Sequence, residues 1–287
     1  MKKMLLALLS AVLVLTAIQP VQAQDQKVLA IIDTAINSQK LPSVIYEACF
    51  TQNKSCPNGQ NFMEGTGSAS AVVWAKSIND GIYHGDSMVK AALAVDANIK
   101  IVFVRFTNVT STGGSTLGNR PESLVSAIDW VSKNADKYSI DAVSISQSAV
   151  DSTNLARCSS DKVTINAISF LTQKNIPTFA ATGNNERTDV VGFPACISGV
   201  IGVGALFSTS VFEKATNRGP GLDLVAMGKI AITKYNGSPF DLAGSSGATA
   251  LSASSYVSKS THKTFQEYLN SLPKLFISGA SYSYVSK

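Results

Sequence analysis

Histidine is almost absent from this 287-residue chain: only His84 and His262 occur. Any chemistry that needs an imidazole near neutral pH therefore has two candidates. Charge is also scarce, at 15% of residues, with 24 Lys and Arg against 19 Asp and Glu. A net +5 on a chain this long argues against a dedicated nucleic-acid partner. Cysteine is limited to Cys49, Cys56, Cys158 and Cys196, and no Cys-x-x-Cys occurs, which weighs against a metal or redox pair. No dense acidic loop shows carboxylates at calcium-ligand spacing, so no metal site is assigned and structural calcium is left open. Beyond the first twenty residues no apolar run is long enough to span a bilayer. Internal repeats, low-complexity tracts and obvious linkers are missing too.

What is present begins with an export signal. Lys2 and Lys3 form a basic start, and Leu5 to Ala17 is almost wholly apolar but short for a membrane span. Pro20 breaks the run before the small-residue site Val21-Gln22-Ala23. The expectation is a signal peptide over 1–23, a secreted or periplasmic product, and no membrane contact after cleavage; a retained anchor is the alternative. Cleavage removes Lys2 and Lys3 and no acid, so the formal charge falls from +5 to +3. Residues 24–287 are then enough for one large α/β domain with a sizeable core. An even number of cysteines in an oxidising compartment reads as two disulfides. Cys49 and Cys56 are close in sequence, with Pro57-Asn58-Gly59 just beyond, which leaves Cys158 to pair with Cys196.

Apolar runs at Val28–Ile32, Ile99–Phe106, Ala142–Ser146, Pro177–Ala181 and Gly199–Val203 read as buried strands. Between them, Leu124, Val125, Ile128 and Val131 recur at helical spacing, and a second helix starts near the N-cap candidate Asp161. Alternating strands and helices predict a three-layer α/β sandwich, with a mostly parallel sheet covered on both faces. The segment Ser38–Tyr83 reads as irregular. A helix is expected from Ser246 to about Ser260, with Ala248, Leu251, Ser252, Ser255 and Tyr256 on its packing side. The tail from Pro273 reads as a strand pair or a ragged end.

Four short motifs carry the chemistry. Asp33 ends the first apolar run in Ile32-Asp33-Thr34, and His84 opens His84-Gly85-Asp86-Ser87. Asn184 sits in Ala181-Thr182-Gly183-Asn184, and Ser246 in Gly244-Ser245-Ser246-Gly247. Asp, His, Ser is one of the known chain orders of a catalytic triad. Gly192-Phe193-Pro194-Ala195 and Arg218-Gly219-Pro220-Gly221-Leu222-Asp223 complete a set of six. Over roughly residues 26 to 258 the pattern resembles the subtilisin-like serine proteases, the subtilase family.

The residue chemistry agrees with that resemblance. A serine hydroxyl needs a base, and a neutral imidazole, with its ordinary pKa of about 6.5, can take its proton. Asp33 at a strand end can hold the imidazole tautomer, and Ser246 before a helix has its N–H where an anion is favoured. The resemblance implies that Asn184 donates to the oxyanion. It also implies that Ser146-Gln147-Ser148 lines a peptide groove opposite Ala181-Thr182-Gly183, with Gly192 at the back of a side-chain pocket roomy enough for a large residue. It gives Asp223 a structural role. No cofactor is required by this chemistry. The expected partner is a polypeptide, met by a monomer.

The match has departures. Ala35 stands where the family has Gly, Asp86-Ser87-Met88-Val89-Lys90 replaces the usual run after His-Gly, and Gly247 and Ala250 replace Met and Pro. Ser148 stands for a groove glycine. Asp86 reads as a helix-start acid or as a charge that raises the His84 pKa. Asp33 comes only ten residues after Ala23, so the usual pro-domain is expected to have no room; restraint would fall to export, the narrowed groove or a separate inhibitor. Two other readings use the same residues: an esterase or amidase, and a catalytically silent binding protein. His262 reads as a solvent-facing residue outside the chemistry.

Overall fold

The computed structural model describes residues 26–71, 83–109, 115–116, 121–234, 236–259 and 264–286. The expected signal segment 1–23 and His262 lie outside the described residues.

The chain starts with β1 (Val28–Asp33), then β2 (Val44–Phe50), β3 (Phe62–Glu64), α1 (His84–Leu93) and β4 (Lys100–Arg105). Next come the short strands β5 (Asn108–Val109) and β6 (Ser115–Thr116), α2 (Pro121–Asn134) and β7 (Ala142–Ile145). Helices α3 (Ser152–Ser160) and α4 (Lys162–Gln173) lead to β8 (Thr178–Ala181) and β9 (Val200–Ser208). The strands β10 (Val211–Phe212), β11 (Leu224–Met227), β12 (Ile230–Thr233) and β13 (Pro239–Leu242) precede α5 (Ser245–Ser258). The chain closes with α6 (Phe265–Ser271), β14 (Lys274–Ile277) and β15 (Ala280–Val285).

The main sheet runs β14-β15-β11-β9-β8-β7-β1-β4-β2-β3, with β10 beside β9. The strands from β15 to β2 are mutually parallel, and antiparallel partners sit only at β14, β3 and β10. Successive β1 residues feed opposite cores, as the period of two requires. Leu29 and Ile31 pack with Phe103, Met88 of α1 and Leu251 of α5. Val28, Ala30 and Ile32 pack with Val104, Leu124 and Ile128 of α2, and Ile168 of α4. The expected three layers are therefore present, helices on both faces.

Topology fixes where a site can form. β1 pairs with β4 on one side and with β7 on the other. The chain order thus reverses at β1, and a crevice opens outside the carboxyl ends of β1 and β7. Asp33 ends β1 there, Ser146 follows β7, and Thr182 follows β8 next door.

The segment Ser38–Tyr83 departs from expectation. It holds β2 and β3, with the register Cys49 opposite Met63. Its order comes from polar anchors that hydropathy does not reveal. The buried Glu47 carboxylate accepts from Gly67 N (2.9 Å) and Ala69 N (3.0 Å). The buried Arg105 guanidinium donates to Ser70 O (2.7 Å), Ser55 Oγ (3.2 Å) and Thr107 O (3.1 Å). Burial pushes its pKa down to about 10, so it stays charged at neutral pH. Cys49 is bonded to Cys56, and Cys158 to Cys196.

Helix α5 also differs from the single packing face expected of it. Every residue from Ser245 to Val257 is buried except Ser246. Ala, Ser, Gly and Thr are small enough for sheet and helices to close around it on all sides. The tail is the strand pair, β14 with β15.

Candidate active site

Asp33 is fully buried, and its Oδ1 accepts from Thr34 N at 2.7 Å and from His84 Nδ1 at 2.7 Å. The acceptor on Nδ1 sets the tautomer: Nδ1 carries the proton, and Nε2 of a neutral His84 keeps its lone pair. Burial pulls the His84 pKa down, but the Asp33 charge and hydrogen bond outweigh it, and the pKa ends above its ordinary 6.5. The side chain stays 28% exposed.

Helix α1 brings His84 to Asp33 through its first turn. Thr34 Oγ1 accepts from Gly85 N at 2.8 Å, which ties the helix start to the end of β1. A side chain at Gly85 would put its Cβ 2.5 Å from Phe103 Cζ and 3.0 Å from Ala35 O, so this approach needs glycine. Asp86 is a buried acid in that first turn, where the helix dipole favours it, and it pairs with Lys90 at 2.6 Å. Of the two readings of Asp86, the helix-start acid fits: the charge acting on His84 is that of Asp33.

Ser246 enters from α5. Its helix is capped by Gly244, whose φ of 93° suits glycine and whose missing side chain leaves room for Asn184 at 3.0 Å. The Asn184 Oδ1 accepts from Ser245 N and Ser245 Oγ, both at 3.0 Å. That fixes the amide orientation and leaves Nδ2 without a partner among the described residues. Nδ2 and the Ser246 N–H, in the first turn of a helix with no intrahelical acceptor, are both able to donate to a further group.

His84, Asn184 and Ser246 line one cavity of about 450 Å³, whose far wall carries Lys234, Phe240 and Leu242. Ser246 and Ser146 are reciprocally bonded: Ser246 Oγ donates to Ser146 O and Ser146 Oγ to Ser246 O, each at 3.0 Å. The hydroxyl is thus turned to the Ser146 carbonyl, and no hydrogen bond joins it to His84. Gln147 Nε2 lies 3.4 Å from both Asp33 Oδ1 and His84 Nδ1. Because Nδ1 is itself a donor, the Gln147 amide serves the carboxylate. Ser148 and Gly183 face each other across the crevice, with Gly192 behind.

One residue was not legible as part of this site. Asn217 is fully buried and brackets Asn184. Its backbone N donates to Gly183 O (2.8 Å) and its amide to Thr182 O (3.1 Å). Its Oδ1 accepts from Asn185 N (2.8 Å) and Arg187 N (3.2 Å). Asp223 accepts from Gly202 N at 2.9 Å, a bond that braces β9 against the approach to β11. Among the described residues, no group of three or more His, Cys, Asp or Glu could hold a metal ion.

Residues 24–268 match the model of the subtilase family, peptidase S8. The chain belongs to the subtilase family. Solved structures agree on the fold at low identity. A protease from Pseudoalteromonas arctica superposes with a TM-score of 0.65 at 20% identity, covering 90% of this chain and 87% of that one. A cold-adapted subtilisin-like serine proteinase gives 0.59 at 20% identity, covering 91% and 89%. A lanthipeptide protease gives 0.57 at 13% identity, covering 80% and 71%. The fold is the subtilisin-like α/β fold, and membership of this family supports a serine protease. No helix among the described residues of this subtilase is long and apolar enough to cross a membrane.

Proposed function

We propose that this subtilase is an endopeptidase that hydrolyses polypeptides through Ser246, His84 and Asp33, with Asn184 and the Ser246 N–H holding the oxyanion. In this reading residues 1–23 direct export and 24–287 form one catalytic domain outside the cytoplasm. The observation that carries the reading is the partial exposure of Ser246. In a helix buried from Ser245 to Val257, it alone is open, and it opens onto the cavity of an imidazole already held on a buried carboxylate.

The chemistry follows from that geometry. The Ser246 hydroxyl turns from Ser146 O to His84 Nε2, which takes its proton as Oγ attacks the peptide carbonyl. The oxyanion forms against Asn184 Nδ2 and the Ser246 N–H, donors already in place. The imidazolium, stabilised by Asp33, gives its proton to the leaving amine, and water repeats the sequence on the acyl-enzyme.

A silent binding protein remains the second reading, and one observation favours it: Ser246 Oγ is engaged with Ser146 rather than with His84. A fluorophosphonate probe separates the two. The expected result is covalent labelling of Ser246, abolished in Ser246→Ala, retained at a lower rate in Ser245→Ala, and accompanied by internal cleavage of casein. Labelling that survives Ser246→Ala would sink the assignment of the nucleophile, and a folded protein that never labels would favour the silent reading.

A further inference from the structure

We propose that Ser148 limits the side chain on the acyl side of the scissile bond to glycine, alanine or serine, a proposal that rests on the endopeptidase reading above. The acyl-side pocket implied by the subtilase resemblance lies between Ser146–Ala149, which continues β7, and Ala181–Gly183, which continues β8. Gly192 closes its back. The two glycines mark where these segments come closest: a Cβ at Gly183 would also meet the Asn217 amide, and one at Gly192 the Ala149 backbone oxygen at 2.8 Å.

The pocket is filled from within. The Ser148 hydroxyl donates to Thr182 O across the crevice at 3.0 Å. A Cβ at Gly183 would stand 2.8 Å from Ser148 Oγ, and a Cβ at Gly192 would collide with the same oxygen. One hydroxyl thus lies against both glycines, in the volume a large substrate side chain would need. Gly192 gives the pocket depth only if the residue opposite is small, and here it is not small enough.

The frame around this hydroxyl resists widening. Ala149 and Phe193 exchange both backbone hydrogen bonds, at 3.0 and 2.8 Å, and Phe193 is buried. Gly192 N donates to Thr182 O at 3.0 Å, and Asn217 Nδ2 donates to the same carbonyl at 3.1 Å. The two walls and the back are therefore bonded to one another directly. A leucine or phenylalanine could enter only by breaking these bonds together, and packed frames penalise such insertion rather than yielding to it.

The test compares peptide nitroanilides that differ only in alanine or phenylalanine at the acyl position. Wild type should favour alanine in kcat/KM by on the order of tenfold or more. Ser148→Gly should move the ratio toward phenylalanine by a similar factor, and Ser148→Ala, which keeps Cβ but loses the hydroxyl, should move it less. Matched melting curves establish that the variants are folded. A second readout does not need turnover: Ser246→Ala should bind a tetrapeptide ending in alanine more tightly than one ending in phenylalanine, and adding Ser148→Gly should close the gap. Wild type cleaving as well after phenylalanine, or a ratio indifferent to Ser148, overturns the proposal while leaving an active endopeptidase. Binding that follows the size rule in a protein that cleaves nothing overturns the endopeptidase reading and leaves the size limit standing. Neither cleavage nor discrimination in binding overturns both.

Discussion

Thr34 Oγ1 accepts the Gly85 N–H at 2.8 Å, a bond between residues 51 positions apart that brings helix α1 onto the end of β1. On either side of it, Asp33 and His84 make their own 2.7 Å contact. The backbone joint and the side-chain pair are two layers of one junction. The Asp33–His84 geometry depends on how closely the helix approaches.

Gly85→Ala tests that dependence. Its Cβ would meet Phe103 Cζ at 2.5 Å and Ala35 O at 3.0 Å, and the second contact is backbone. Phe103 is fully buried and has little freedom to retreat. Overpacking of this kind costs about 1–3 kcal/mol. The expected outcome is a lower urea midpoint together with a fall in kcat, since the first turn that carries His84 must lift. Wild-type stability and kcat in Gly85→Ala would show that the approach is not tight.

The raised His84 pKa fixes a pH dependence. General-base action needs neutral imidazole, so kcat/KM should rise with pH through a value above 6.5. In Asp33→Asn the two influences that raise the pKa disappear and burial, which lowers it, remains. The titration should move to lower pH, and turnover should fall by several orders of magnitude because the neutral amide no longer stabilises the imidazolium and its NH2 can favour the wrong imidazole tautomer. Stability has its own sign. A pKa raised on folding contributes stability that is fully present below the unfolded value of about 6.5 and is lost as pH rises through the folded value. NMR titration of His84 in Ser246→Ala, with and without Asp33→Asn, measures both; an unchanged or higher pKa without Asp33 would contradict the assignment.

The parts of this molecule that were legible in sequence are those in which burial is continuous. β1, β4, β7 and β8 are buried through most of their length, so their strands read as unbroken apolar runs. β2 was hidden because only its Ala48 and Cys49 are buried apolar residues, and its order depends on Glu47 and Arg105 reaching across the loop. α3 was hidden because Asn154 is its only buried residue, and no apolar stripe marks it. The candidate residues Asp33, His84, Asn184 and Ser246 could be picked out because each sits in a short motif at the end of a strand or the start of a helix. Asn217 could not, since its role lies in bonds to a loop about thirty residues earlier. The identity of Ser148 was plain, but its consequence needs Gly192, 44 residues on, to be seen against it.

Asn217→Ala should act through Asn184 without touching substrate. The variant loses the donor to Thr182 O and the acceptor for Asn185 N and Arg187 N, the bonds that flank Asn184. Removing one oxyanion donor costs roughly 100- to 1,000-fold in turnover, a figure that comes from subtilisin itself. Asn217→Ala should approach the lower end of that range in kcat, with KM changed less. The double variant with Asn184→Ala should lose little more than Asn184→Ala alone. Additive losses would mean that Asn217 acts elsewhere.

The two disulfides should differ in what they contribute to stability. Cys49–Cys56 closes a short loop, with a sequence separation of 7, and Cys158–Cys196 a long one, with a separation of 38. If the bridges act by restricting the unfolded chain, the first stabilises by about 2.4 kcal/mol and the second by about 3.9 kcal/mol. The paired substitution Cys158→Ala with Cys196→Ala should therefore lower stability by about 1.5 kcal/mol more than Cys49→Ala with Cys56→Ala. The local setting pulls the other way: Cys49 and Cys56 are fully buried beside the Arg105 anchor, whereas Cys158 and Cys196 are only partly buried. Urea unfolding of the two double variants decides between loop entropy and local packing. A larger loss for the short loop would show that its bridge works mainly by holding β2 against the segment Arg105 anchors, and would move the cause of stabilisation from the unfolded chain to the folded one.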